Sequence, residues 1–527
     1  MKSLRVICML ALAIIQLAIL AFFLSALPEG GLPFDDAWIH LVFARNLAEQ
    51  GRMGFNSCCW SGGSTSPLWD FLLAIGYRLS GHMLAIAYIL GSFCYLLTSF
   101  CLFLFLDKIF DGLEGGYEAS LMVAICFAIT GYIPYLALSG MDTLLFLGLS
   151  LGSLVSLVHK KYLLSGWLLA ALILTRIEGL GLASLLCLVT GIRAWYNCKW
   201  RYFVNITAPV IVALAFYLLF NRIITGSYLP TTMLGRKWLW GLSENLWAFD
   251  LHRTQRFFLD WINLIRAFVL ADGGWGRTLF VGISGMIGVI ALMRKFIHST
   301  EITLLVGWVL IHNLAYIFLA PVAYLRYQSP NLILIPVLLM SGWLWLAQIV
   351  RPCLRRWLVL GTGTTIIFSF LPGTIAYRQV FVWNVTHINQ VHVNAGKWIS
   401  KHLPENAVVA AFDIGAIKYF SNRQVLDLGG LIDPDFVHNY LYPGRVVDYL
   451  HENRVRYLVM PEPYSGQADL KSRLGFYKKD QAAKIQLHPL ITFEIAPYIK
   501  PPFTLNKYQF YTAYLRITIY EIKWLYH

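Results

Sequence analysis

Long apolar runs alternate with short polar segments along most of the chain. Crossing a bilayer takes about 20 predominantly apolar residues. Runs of that kind, some shorter, lie near 6–26, 83–106, 118–138, 142–158, 162–175, 177–192, 203–222, 277–293, 301–320, 331–350 and 358–374. The pattern predicts a polytopic α-helical membrane protein with about eleven spans. The first run is longer than the ~7–15 apolar residues of a signal peptide, so it reads as a retained helix rather than a cleaved leader.

The stretch 162–192 has the length of one long helix, with Arg176 and Glu178 near its middle. Its flanks argue for two. "HKK" (159–161) precedes it and "RAWYNCKWR" (193–201) follows it. Basic loops stay on the cytoplasmic side, and a single crossing cannot leave both ends there. A pair of short helices can, with "TRIEG" (175–179) at the outer tip. "MRKF" (293–296) and "RPCLRRW" (351–357) then also fall inside. The acidic loop "DKIFDGLEGGYE" (107–118) runs against the trend, but acidic residues weigh little in the rule. Eleven spans that begin inside leave the C-terminal part outside.

Past residue 375 the pattern changes, which divides the chain into a membrane domain, 1–375, carrying an outer loop 27–82, and an outer domain, 376–527. "VNAGKWISKHL" (393–403) and "GRVVDYLHENR" (444–454) read as helices. "AVVAAF" (407–412), "QVLDL" (424–428), "RYLVM" (456–460) and "ITFEI" (491–495) read as strands. Alternating strands and helices predict a small α/β domain.

Composition supports this division. Of 527 residues, 58% are hydrophobic and 13% charged, with a mean hydropathy of +0.60. The charged share is roughly half that of a soluble domain. The net charge of +14 is the excess of Lys and Arg expected in cytoplasmic loops, not a nucleic-acid surface. Nine cysteines show no CxxC spacing and no disulfide framework. Cys58 and Cys59 are adjacent, and neighbours in sequence bridge each other poorly.

With this topology, five unusual polar segments share the outer side: Asp35-Asp36, "SGMD" (139–142), "TRIEG", "GSYLPTTMLGRKW" (226–238) and "PVAYLRYQSP" (321–330). An Asp before "AWIHLVFARNLAEQ" is a good helix N-cap, but one cap needs one Asp. Asp36 and His40 are spaced i, i+4 and share a helix face. Ile39, Val42, Phe43 and Leu47 form an apolar stripe, which suggests a helix lying along the membrane surface. A carboxylate at its mouth can take a proton from an acceptor hydroxyl or bind a hard divalent cation (Mg, Mn or Ca). Trp38, Trp60 and Trp69 suit the headgroup layer, and one of them could instead stack on a sugar ring. Arg176, Arg236, Lys237 and Arg326 supply positive charge beside the membrane. Several such groups around one carboxylate pair suit a phosphate ligand, since Arg offers a planar fork and Lys a point charge. Arg326, flanked by Tyr324, Tyr327 and Gln328, is the first choice, and Arg176 can also pair with Glu178.

Taken in order, "DDAWIHLVFARNLAEQGRMGFN", "STSPLW", "SGMDTLLF", "TRIEGL" and "GSYLPTTMLGRK" resemble the bacterial GT-C class glycosyltransferases. The group in question includes the mycobacterial terminal arabinofuranosyltransferase, and segment 398–434 resembles its outer domain. The resemblance implies sugar transfer from a polyprenyl-phosphate donor to a glycan, lipid or protein acceptor on the outer face of the bacterial inner membrane. It assigns the catalytic carboxylates to Asp35 and Asp36, with Asp35 favoured as the base because Asp36 can pair with His40. Asp142 stands where the family usually has Glu, Ile177 where it has Pro, and "LPTT" (229–232) where Pro-Asn-Thr is common. No sugar is assigned for that reason. The expected mechanism is inverting, with Arg326, Arg236, Lys237 and Arg176 holding the phosphate and His40, Trp69, Asp142, Glu178, Tyr327 and Gln328 lining the substrate. Asp413, Asp427 and Asp433 are read as turn residues near strand ends. The rival from another class is a flippase for lipid-linked sugars. Such transporters usually show repeated halves, and the sequence has no internal repeat.

Overall fold

The computed structural model describes residues 2–56, 60–228, 230–239, 251–252, 254–255, 258–259, 275–296, 299–319, 325–462, 469–496, 499–502 and 514–525. Cys58, Cys59, Leu229 and Tyr324 lie outside them. Among the described residues, eight helices are long and apolar enough to cross a membrane, and three shorter apolar helices accompany them.

In chain order the helices of the first part are α1 (Lys2–Leu24), α2 (Asp35–Gln50), α3 (Pro67–Ser80), α4 (Met83–Ile109), α5 (Gly116–Ile129), α6 (Tyr132–Ala137), α7 (Thr143–Val158), α8 (Tyr162–Thr175), α9 (Leu180–Asn197), α10 (Trp200–Thr225), α11 (Thr232–Leu239), α12 (Trp275–Ala291), α13 (Thr300–Leu319), α14 (Ser329–Ala347) and α15 (Pro352–Ile388). The run expected over 118–138 is broken. Pro134 has no N–H to give the carbonyl of Thr130 and its ring crowds that carbonyl, so α5 stops at Ile129 and α6 restarts at Tyr132. The expected division after residue 375 falls inside α15, which runs unbroken to Ile388.

The stretch 162–192 is indeed two helices. Arg176 is extended, at φ −152° and ψ 132°, and α8 ends there. Asp142 and Arg176 meet at one end of α7 and α8, while residues 160–164 and 198–202 line one cavity at the other. The acidic loop 107–118 is also explained. Arg355 pairs with Glu114 at 3.0 Å, Arg356 with Glu118 at 3.6 Å, and Arg5 with Asp107 at 2.8 Å. Its acidic side chains are the counter-charges of the basic segments, which is why it departs from the charge trend.

The C-terminal part carries α16 (Asn394–His402), β1 (Val408–Ala411), α17 (Gly415–Ser421), β2 (Gln424–Asp427), α18 (Val446–Glu452), β3 (Tyr457–Pro461), β4 (Ile485–Glu494) and β5 (Arg516–Trp524). The sheet order is β2-β1-β3-β5-β4. β1 pairs in parallel with β2 and β3, and β5 pairs antiparallel with β3 and β4. The four expected strands are present. β5 was not expected, although "RITIYEIKW" carries the β-branched and aromatic residues that suit a strand.

α2 does not lie along a surface. Ala37, Trp38, Leu41 and Ala44 pack into the core of the membrane helices, and Ile39, Val42 and Phe43 pack into a core shared with β1, β3 and α17. With apolar residues on both faces, the helix is clamped between the two parts of the chain. Trp38 sits against Tyr419 and Phe420 of α17, with ring centroids 5.0 and 4.9 Å apart.

Candidate active site

The two adjacent carboxylates have separate surroundings. Neither caps its own helix: the N-cap of α2 is Phe34, without a side-chain cap. Asp35 is buried and reaches across to α17, accepting hydrogen bonds from the backbone N–H of Gly415 at 2.8 Å and of Ala416 at 2.9 Å. It therefore caps another helix, in the other part of the chain. Glycine is required there, because a Cβ at position 415 would lie 2.1 Å from the Asp35 carbonyl oxygen. Burial pushes the Asp35 carboxyl up to about 6. His392 and the two N–H donors pull against that rise, and Asp413 adds to it. Asp413 itself pairs with His392 at 3.1 Å.

Asp36 is partly exposed and forms an ion pair with Arg326. Burial raises its pKa, but Arg326, then Arg236 and His40, outweigh it and hold the carboxyl below the usual range. The expected Asp36–His40 pairing is not formed. His40 Nδ1 lies 2.6 Å from Asp70 of α3 instead. Burial disfavours the imidazolium, but Asp70, then Asp142 and Asp36, together outweigh this, so His40 titrates above its ordinary value. Asp70 was missed in the sequence. Its signal was a lone carboxylate in the apolar helix "PLWDFLLAIG", which burial requires to find a partner.

Three cations converge from three segments. The guanidiniums of Arg176, Arg236 and Arg326 lie 5.1, 5.2 and 5.1 Å from the ring centroid of Tyr327. Arg326 also lies 5.4 Å from the Phe34 ring, a residue the sequence had not marked. Arg176 Nε is 3.4 Å from Asp142, so its ion pair is with Asp142 and not with Glu178. Glu178 accepts a hydrogen bond from Tyr316 at 2.6 Å, and Tyr316 stacks on Tyr327 at 5.3 Å. Glu178 thus sits one layer behind the cations.

Other expected members of the site have surroundings of their own. Lys237 is buried with no hydrogen-bond partner for its ammonium among the described residues, and burial lowers its pKa. Trp69 is fully buried and donates its indole N–H to Gly140 at 3.0 Å, so it braces the "SGMD" turn and offers no face to a sugar. Gly140, at φ +74°, makes that turn in a region that favours glycine. Gln328 is buried and accepts from Asn331 at 3.0 Å. Asp427 accepts from the N–H groups of Gly429, Leu431 and Ile432, and Asp433 caps the turn at Pro434; both are turn residues.

The pair does not form a joint cation cradle. Both oxygens of Asp35 are taken by N–H donors, and Asp36 faces a guanidinium. Among the described residues, no group of three or more His, Cys, Asp or Glu is placed to hold a metal.

Comparison with known proteins agrees with this architecture. The chain is similar to the crystal structure of ArnT from Cupriavidus metallidurans bound to undecaprenyl phosphate, at TM-score 0.58 and 12% identity over 98% of this chain and 97% of that one. The apo structure of the same protein gives 0.56 and 11%, over 99% and 98%. The archaeal oligosaccharyltransferase AglB from Archaeoglobus fulgidus, in complex with an inhibitory peptide and a dolichol-phosphate, gives 0.52 and 11%, over 95% and 75%. These likenesses show the fold that this chain shares with ArnT and AglB, in which the eight long apolar helices lie. A family described as "Domain of unknown function (DUF8728)" matches residues 383–511. No curated protein matches.

Proposed function

We propose that this chain is an inverting glycosyltransferase of the bacterial inner membrane. It takes a sugar from a polyprenyl-phosphate donor and passes it to a glycan, lipid or protein acceptor of the envelope. The observation that carries the reading is the gathering of Arg176, Arg236 and Arg326 around one tyrosine ring beside the ionised Asp36. Three guanidiniums this close repel one another; Asp36 pairs with Arg326, Asp142 with Arg176, and Glu178 adds a further negative charge near Arg176. A phosphate bound among them relieves that repulsion and accepts planar, paired hydrogen bonds. The fold shared with a protein crystallised with undecaprenyl phosphate supports the same ligand class.

Asp36 is the base in this scheme. Asp35 is committed to the amides of α17, whereas Asp36 is partly exposed beside the cations. The acceptor oxygen forms a bond to the anomeric carbon as the bond from that carbon to the phosphate oxygen breaks. The acceptor proton passes to Asp36. The leaving phosphate keeps the electron pair, and the guanidiniums stabilise its charge. Donor phosphate competes with Asp36 for Arg326, and loosening that pair raises the proton affinity of Asp36 when it must accept a proton. No step is routed through a metal. The basic loops gathered at the far end of α7 and α8 support an outward-facing, periplasmic site, an eleven-span topology and an outer C-terminal domain.

The test is transfer by the full chain in detergent, with release of polyprenyl phosphate as the readout. Asp36→Asn is expected to abolish release. Full activity in that variant overturns the assignment of the base. Wild-type protein that moves lipid-linked sugar across liposomes while releasing no polyprenyl phosphate overturns the enzyme reading in favour of a flippase.

A further inference from the structure

The end of the helices opposite the candidate active site carries a cavity of about 790 Å³. Two connections build it: residues 160–164, entering α8, and residues 198–205, entering α10. Its lining includes Lys160, Lys161, Lys199 and Arg201 and, among the described residues, no acidic side chain. Four cations around one concave site repel one another, and an anion bound among them relieves that repulsion. The walls are tightly fixed. Tyr162 and Tyr202 stack with centroids 4.3 Å apart. α8 and α10 approach so closely that a Cβ on Gly166 would lie 2.5 Å from the Asn205 carbonyl oxygen. The starts of both helices therefore lie side by side, with no acidic residue in either first turn, and their positive dipole ends add to the field of the cations.

The setting of the cavity indicates which anion. Trp200, at the start of α10, lines it, Trp195 lies against Trp200 with ring centroids 6.2 Å apart, and both are exposed, as is Tyr196 beside them at the end of α9. Exposed aromatics at the ends of spanning helices mark the headgroup layer of a bilayer. Basic pockets between spanning helices at that level suit anionic lipid headgroups.

We infer that this cavity is a binding site for the phosphate headgroup of an anionic phospholipid, separate from the candidate active site. Neither the cavity nor its lining depends on the glycosyltransferase reading. The experiment is native mass spectrometry of the full chain in neutral detergent, titrated with phosphatidylglycerol or phosphatidylcholine. Wild-type protein is expected to retain phosphatidylglycerol at least tenfold more tightly than phosphatidylcholine. The triple variant Lys161→Gln, Lys199→Gln, Arg201→Gln is expected to lose that preference. A charge-keeping variant, Lys161→Arg, Lys199→Arg, Arg201→Lys, is expected to retain it, which separates loss of charge from loss of fold. Arg326→Gln is also expected to retain it, since that residue belongs to the other end. Equal preference in the wild type and the triple variant overturns the proposal. So does displacement of the lipid by an equal concentration of inorganic phosphate, which would make this a site for a soluble anion.

Discussion

Exchanging one carboxylate of the Asp35-Asp36 pair at a time separates a structural role from a chemical one. Asp35→Ala removes hydrogen bonds of 2.8 and 2.9 Å to two backbone N–H groups. Each orphaned buried donor costs about 1–3 kcal/mol, so the gross loss is roughly 2–6 kcal/mol. Burying the carboxylate works the other way. A pKa raised from 3.8 to about 6 corresponds to about 3 kcal/mol at neutral pH. The central net effect at pH 7 is then about 1 kcal/mol of destabilisation, with an upper end of about 3 kcal/mol. That is a roughly five- to hundredfold rise in local opening of α17. The sign of the pH dependence follows from the raised pKa. This group's contribution is fullest below its unfolded value of 3.8 and is lost as pH rises through about 6. The deficit of the alanine variant should therefore be larger at pH 5 than at pH 8. Amide hydrogen exchange over 415–421, corrected for intrinsic rates, reads it directly. Asp36→Asn should leave that protection unchanged and remove transfer. Wild-type protection in Asp35→Ala at both pH values would refute the capping role, and loss of protection in Asp36→Asn would refute the division of labour.

Arg326→Gln should lower the transfer rate by roughly 10²–10³-fold, as loss of one charge-stabilising donor commonly does. It should also move the acid limb of the pH–rate profile to higher pH, because Arg326 holds the Asp36 pKa down against burial; an unmoved limb would remove Asp36 from the base role. Tyr327→Leu takes away the ring that three guanidiniums share, at roughly 0.5–2 kcal/mol for each cation–π contact. Donor KM should rise at least tenfold, whereas Tyr327→Phe should stay near wild type. Trp69→Phe loses its bond to Gly140 and should reduce thermal stability by about 1–2 kcal/mol with KM unchanged; a KM effect without destabilisation would restore the sugar-stacking role.

Much of this protein is legible in its sequence, because in a membrane protein the solvent itself sorts residues by polarity. The apolar runs locate the helices, the basic flanks split 162–192 into two, and the segments around Arg176, Arg236 and Arg326 stand out as cationic from the sequence alone. The partners of the polar side chains were not legible. Sequence spacing proposed Asp36 with His40 and Arg176 with Glu178, since those residues are near neighbours along the chain. The structure pairs Asp36 with Arg326, His40 with Asp70 and Arg176 with Asp142. A buried charge takes the complementary group that packing brings within reach, and here that group comes from a distant segment each time. The same holds for α2. Its residues specify a helix, but only the packing of membrane helices on one face and a sheet on the other makes it the buried join. Asp35 and Asp36, adjacent in sequence, point from that join to opposite tasks: one to the amides of α17, the other to the cations around Tyr327.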